Sequence, residues 1–240
     1  MAMIALAATG SALTGAYADC AMAELGPNLV TRTGAKLPAD GGILVAAGVS
    51  TDHKPVPGDP SQPKLKATFG GKPVALVIES LAPGLTVYRP EHPLVGAVAV
   101  AGAANPLTVT FGKDKGPALV APAVTAVVST VVMDLGRHGA EGSETTVVAV
   151  KSVPETAVAV IVYHMKDEEH VPITYGSPAH DKTGATTIEV YREGGHCRGP
   201  GMPGQAFPQP QEVVTLAWVD ASGRLSPLSA PIKVTEGKTK

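Results

Sequence analysis

Residues 107–111 read "LTVTF", apolar and polar positions in alternation. With a period of two, Val109 and Phe111 fall on one face of an extended chain and Thr108 and Thr110 on the other. That is the pattern of a strand with one side buried. Short runs with this period, or with β-branched residues throughout, predict strands at 28–33, 42–47, 65–69, 74–79, 85–89, 95–100 and 107–111. Between them stand "LPADGG", "HKPVPGDPSQP", "FGGKP", "APG", "RPEHP" and "AGAANP", where Gly and Pro end one extended run before the next begins.

The segment "GKDKGPALVAP", 112–122, is charged, then Gly-Pro, then opens a new apolar run, and so marks a boundary. Beyond it strands are predicted at 123–132, 145–151, 158–164, 171–175, 186–191, 213–219 and 231–235, with "DASG" as a turn at 220–223. About seven short strands in each block, spaced in this way, match a β-sandwich. The apolar run "ALVAPAVTAVVSTVVM" is interrupted by Pro122 and by Thr and Ser. It falls short of the ~20 apolar residues of a membrane-spanning helix, so no transmembrane segment is expected in the mature chain.

The stretch "VVTLAWVDASGRLSPLSAPIKV", 213–234, resembles the last two strands of a fibronectin type III or bacterial Ig-like domain, with Asp220, Gly223, Ser226, Ser229 and Pro231 where that pattern wants them. The opening of the first block, "KLPADGGILVAAG", resembles the start of other bacterial Ig-like modules. The fold class expected is therefore all-β, two tandem Ig-like/fibronectin type III-like β-sandwich domains at 19–116 and 117–240. The resemblance implies a binding or spacer module outside the cytoplasm, with function carried on loops, and it implies no catalytic residues.

Composition agrees with many turns and a real core. Gly (27) and Pro (22) make up about a fifth of the 240 residues, apolar residues are 44% and charged residues 17%. Net charge is −2, with 19 basic and 21 acidic residues dispersed along the chain. No basic stripe with interleaved aromatics points to nucleic acid, and no polybasic amphipathic stretch points to a membrane surface.

The first eighteen residues, "MAMIALAATGSALTGAYA", carry no charge, and Ala16-Tyr17-Ala18 has the small-x-small form of a signal-peptidase site. A cleaved signal peptide at 1–18 and a mature chain from Asp19 are expected, which places the protein in the periplasm, outside the cell or at its surface. Cys20 follows directly. Asp19 precedes it where a lipid-anchored cysteine needs a small residue, and a solitary Cys lacks the companions of a metal site. In an exported chain with two cysteines, a Cys20–Cys197 disulfide is the expectation, two unpaired thiols the alternative.

Cys197 sits in "REGGHCRGPGMPGQAFPQPQE", 192–212, a long loop read as either a recognition loop or a stapled structural one. His138, His164, His170, His180 and His196 gather in the second block, and "HMKDEEH" sets His164 and His170 around Asp167, Glu168 and Glu169. The spacing follows no HExxH or paired-Cys pattern, and "KDEE" reads as a solvated hairpin turn, so no metal ligand or cofactor is assigned. "GSALTG" and "GAEGSE" fail the nucleophile-elbow pattern, and "FGGKP" is a Gly-rich turn, not a phosphate loop. No catalytic residue is assigned. Trp218 and Phe207 could anchor a ligand, but Trp218 alternates with Ala217 and Val219 on a strand and is read as core.

Three functions are weighed. The first is a non-catalytic interaction or adhesion module with a protein or carbohydrate ligand. The second is a periplasmic chaperone-like protein that donates an edge strand to a client, for which "PLTVTFGKDK" is the candidate strand. The third, a metal-dependent hydrolase on a β-sandwich, needs His164, His170 or His196 to converge.

Overall fold

A computed structural model describes residues 28–46, 64–102, 106–136, 139–178, 186–194 and 208–237. These contain strands and turns and no helix. In chain order the strands are β1 (Asn28–Leu29), β2 (Lys36–Leu37), β3 (Ile43–Ala46), β4 (Lys66–Phe69), β5 (Lys72–Val74), β6 (Leu76–Ala82), β7 (Leu85–Pro90), β8 (Gly96–Ala101), β9 (Leu107–Phe111), β10 (Val124–Gly136), β11 (Gly139–Val150), β12 (Ala157–Lys166), β13 (Glu169–Gly176), β14 (Thr187–Gly194), β15 (Val213–Asp220), β16 (Ile232–Lys233) and β17 (Thr235–Glu236). The protein is all-β over this range.

Four sheets result. Two come from the first block, with strand orders β1-β3-β7-β6 and β2-β9-β8-β4-β5, and two from the second, with orders β14-β11-β10-β17 and β13-β12-β15-β16. Pairing is antiparallel except at β2–β9 and β10–β17. The tight turns carry the chemistry they require. Gly70 and Gly71 both adopt positive φ between β4 and β5, and so do Asp167 and Glu168 between β12 and β13, the mirror-image turn that matches the right-handed twist of a hairpin.

The packing is layered. Ile43, Val45 and Tyr88 of the β1-β3-β7-β6 sheet meet Ala67, Val98, Val100, Val109 and Phe111 of the five-stranded sheet in one core. Val160, Val162, Leu216 and Trp218 of the β13-β12-β15-β16 sheet meet Val127, Val148, Val150, Ile188 and Val190 in a second. A third apolar layer joins the two blocks: Leu44, Leu81, Leu85 and Val87 pack with Ala159, Ile161, Tyr163, Ala217 and Val219. From Ala159 in β12 and from Val214 in β15, even-numbered core residues thus face one core and odd-numbered ones the other. The central strands of the two middle sheets, β3, β7, β12 and β15, are buried on both faces over most of their length.

Trp218 is core, as read from its strand, at 2% exposure. Its neighbours Ala217 and Val219, on the opposite face of β15, are core as well. They are buried at 1% and 0% exposure in the layer between the blocks. A strand sandwiched between two layers carries apolar residues on both faces, which is why "AVAVIV" and "LAWV" run without a polar break. In the outer sheet, by contrast, β9 alternates buried and exposed residues along its whole length.

Several expected strands have different limits. The run at 74–79 divides into β5 and β6 at Ala75, and the expected strand at 231–235 divides into β16 and β17 at Val234. β10 and β11 form a hairpin longer than either predicted strand, so "GAEGSE" lies within a strand. β14 reaches Gly194, which shortens the 192–212 loop by three residues at its start.

The serines of the fibronectin-like stretch have a visible role. Ser226 Oγ accepts from the Trp218 N–H at 2.9 Å and Ser229 Oγ from the Leu216 N–H at 3.0 Å. The backbone N–H groups of the same serines donate to the Trp218 and Leu216 carbonyls at 3.0 and 2.8 Å. Pro227 and Pro231 have no N–H to offer, and the hydroxyls help complete the bonding of β15 where no regular strand runs beside it.

Burial raises the Tyr88, Tyr163 and Tyr175 hydroxyls above the ordinary tyrosine range, with the negative charge of Glu79 adding to the effect at Tyr163. In the unfolded chain these groups ionise near pH 10. Their contribution to stability is fully present below that pH and is lost as pH rises through the higher folded values. Alkaline titration should therefore show the tyrosinate absorbance of these three residues, isolated by Tyr→Phe substitution, appearing together with loss of the β-sheet circular dichroism, not ahead of it.

Candidate functional site

At the rim of the layer between the blocks, the turn after β15 meets the first block through a dense set of polar contacts. Asp220 is 5% exposed. Its Oδ1 accepts from Ser222 N–H at 2.9 Å, Ser222 Oγ at 2.7 Å and Arg224 N–H at 3.0 Å. Its Oδ2 accepts from Arg224 Nε at 2.9 Å and from a terminal guanidinium nitrogen at 2.6 Å. The other terminal nitrogen of Arg224 donates to the Pro117 carbonyl at 3.0 Å and lies 3.8 Å from Asp40 Oδ2.

Asp40 in turn accepts the Gly116 N–H at 2.9 Å. Desolvation works to raise the Asp40 carboxyl, but the N–H groups of Gly116 and of Asp40 itself, with the charges of Arg224 and Lys115, hold it below the ordinary carboxylate value. Across the same rim, Gly42 N–H donates to the Ser222 carbonyl at 2.7 Å and Thr31 Oγ1 to the Ala221 carbonyl at 2.9 Å. Gly42 and Gly223 both touch Val87, and a Cβ at either would come within 2.6 and 2.5 Å of its methyl group. Gly223 also holds φ at +71°. The two chain segments close on Val87 because neither carries a side chain there.

Arg89 links this rim to an open edge. Its guanidinium donates to the Asp40 carbonyl at 2.6 Å and the Gly223 carbonyl at 2.7 Å, and its Nε to Glu79 Oε2 at 3.0 Å. Glu79 lies on β6, the outer strand of its sheet. Val77 and Ile78 beside it are 52% and 54% exposed. Neither the edge nor Arg89 was singled out by sequence reasoning. The signal that could have found them is "LVIES", an apolar run with neither Lys nor Pro to guard it.

The candidates named from the sequence fall elsewhere. "PLTVTFGKDK" does not supply a free edge: β9 pairs with β8 on one side and, at Thr110 and Phe111, with β2 on the other. His164 and His170 are not brought together. His164 Nε2 lies 3.8 Å from Glu212 Oε1, and His170 Nδ1 is 2.9 Å from Thr215 Oγ1. Asp167 and Glu168 form the β12–β13 turn and are exposed. Among the described residues no group of three or more His, Cys, Asp or Glu is placed to hold a metal ion.

Cys20, Cys197, His138, His180, His196, Phe207 and the segment 1–18 lie outside the described residues. Of the 192–212 loop, the closing end is described. Pro208 is buried, Gln211 N–H donates to the Val234 carbonyl at 2.9 Å, and Glu212 Oε2 accepts the Gln209 N–H at 2.9 Å. The loop is thus tied down where it enters β15.

In class, then, this is an all-β chain over the described residues, its two inner sheets joined by a shared apolar layer and a polar rim, and no helix among the described residues is long and apolar enough to cross a membrane. No protein-family profile matches it, and no curated protein does. A solved L,D-transpeptidase from Mycobacterium tuberculosis H37Rv aligns with 63% of this chain and 73% of its own, at 11% identity and a TM-score of 0.29. At that score the likeness says nothing about fold or activity.

Proposed function

We propose that this chain is an exported, non-catalytic binding or structural protein made of two Ig-like, fibronectin type III-like β-sandwiches, divided near residue 116. The observation that carries the reading is the layer between the blocks. Adjacent domains move relative to one another by default, unless their interface is large and hydrophobic. Here Leu44, Leu85, Val87, Ile161 and Val219, each at 0–1% exposure, form its centre. A stack of this kind holds edges and loops at fixed separations, which suits recognition or presentation of a partner. The uncharged stretch at 1–18 and the cysteine pair favour work in the periplasm or at the cell surface.

Intact-mass spectrometry of protein isolated after export tests this directly. The expected mass begins at Asp19 and gains two hydrogens on reduction, as a Cys20–Cys197 bridge requires. Reduction should also lower unfolding stability by about 2–4 kcal/mol. A mass that retains Met1, with both thiols free, would overturn the proposal.

A further inference from the structure

Among the strands that end the described sheets, β6 combines length with exposed apolar side chains. β1, β2, β16 and β17 are two residues long and β5 three. β13 and β14 approach each other, with Thr174 Oγ1 donating to the Val190 carbonyl at 3.0 Å. β6 runs for seven residues and, among the described residues, pairs with β7 alone.

Its hydrogen-bonding side can be deduced. Glu91 N–H donates to the Ala75 carbonyl at 3.0 Å. In the register Val77–Arg89 and Glu79–Val87, alternation makes these the bonded pairs with β7. Leu76, Ile78 and Ser80 consequently turn their N–H and C=O groups outward, towards the open edge.

We infer that the β6 edge accepts an extended peptide strand of a partner, antiparallel to residues 76–80, with two adjacent apolar residues and a Lys or Arg beside them. This rests on the binding-module reading above and names its partner class. Outward N–H and C=O groups in alternation match an extended backbone. Ile78 points to the same side as its partner Tyr88, at the margin of the first core, and Val77 to the opposite side with Arg89. An apolar residue opposite each covers side chains now half exposed. Glu79 stands next, 49% exposed, with Arg89 bound to Oε2 and no hydrogen bond or ion pair to Oε1 among the described residues. A cation on the incoming strand completes that carboxylate.

A second copy of this chain fits less well. Self-pairing about Ile78 aligns Leu76 with Ser80 of the copy, and it sets Val77 opposite Glu79, which leaves the carboxylate facing a methyl group.

The test is fluorescence anisotropy with a labelled octapeptide, TTKVVTST, and its Lys-to-Glu counterpart, against full-length protein. Wild type should bind the first saturably and the second about fivefold more weakly, the scale of one exposed ion pair. Ile78→Pro removes an outward donor while sparing the β6–β7 ladder, a place where an edge strand tolerates proline. It should weaken binding about tenfold or more, with the melting temperature reporting that the fold is kept. Glu79→Lys should reverse the preference between the peptides.

Equal binding by wild type and Ile78→Pro overturns the inference, as does no saturable binding of either peptide. A wild-type dimer in light scattering that Ile78→Pro dissolves also overturns it and assigns the edge to a second copy. Failure here alongside an oxidised mass beginning at Asp19 removes the edge assignment alone. Peptide binding by a chain that retains Met1 and two thiols removes the exported-module reading alone.

Discussion

Replacing Trp218 by alanine is expected to destabilise the protein by about 3–5 kcal/mol, close to the whole stability of a marginal domain. Trp218 is the largest fully buried side chain, at 2% exposure, and it fills the second core among Val160, Val162, Leu216, Ile188 and Val190. Its strand is packed on both faces, so the cavity cannot close by a shift of β15 towards the second core without opening the layer on its other side. Little relaxation means a large cost. Denaturant unfolding followed by circular dichroism reads the effect. Trp218→Phe should lose much less, because most of the volume remains. Equal losses for the two substitutions would show that the strand is not held in this way.

Asp220→Ala is expected to cost about 3–5 kcal/mol as well, through charge and not volume. The carboxylate accepts five hydrogen bonds, from Ser222 and Arg224 together. Removing it leaves the Arg224 guanidinium, whose side chain is 12% exposed, without its closest counter-charge. Two backbone N–H groups lose their acceptor at the same time. The double substitution Asp220→Ala with Arg224→Ala should be less destabilised than the sum of the two single changes, since the stranded cation is gone. Additive losses would mean that the network does not act as a unit. Because this turn carries the contacts of Gly42, Thr31 and Arg89 to the second block, loosening of the interface should accompany the loss, visible as faster hydrogen exchange at Gly42, whose N–H donates to the Ser222 carbonyl.

The strands were legible in good measure because their signals are local. β9 has the limits that alternation predicts, and β12 and β15 differ by one or two residues at their ends. The turns at Gly70–Gly71 and Asp167–Glu168 follow from residue chemistry and spacing. Less legible was the division at Ala75, since an apolar run does not announce where it changes sheets. The reach of the β10–β11 hairpin was missed for a different reason. "GAEGSE" is polar and Gly-rich, yet it pairs with β10 along its length, and pairing depends on a neighbour that local composition does not reveal.

The candidate site was hardly legible at all. Histidines and acidic residues drew attention because those side chains carry chemistry. The open edge, however, is defined by backbone groups that every residue possesses, and it exists only through the absence of a neighbour among the described residues.

From the amino-acid order alone came the all-β class, most of the strands, the hairpin turns and the serines beside β15, because each depends on side-chain period or φ preference within a few residues. Tertiary structure decided that the central strands of the middle sheets bury both faces, that Asp220 and Arg224 fasten one block to the other, and that β6 rather than β9 is left exposed. Those facts depend on which surfaces meet, and contacts between residues as distant as Asp40 and Arg224 leave no periodic trace in the chain.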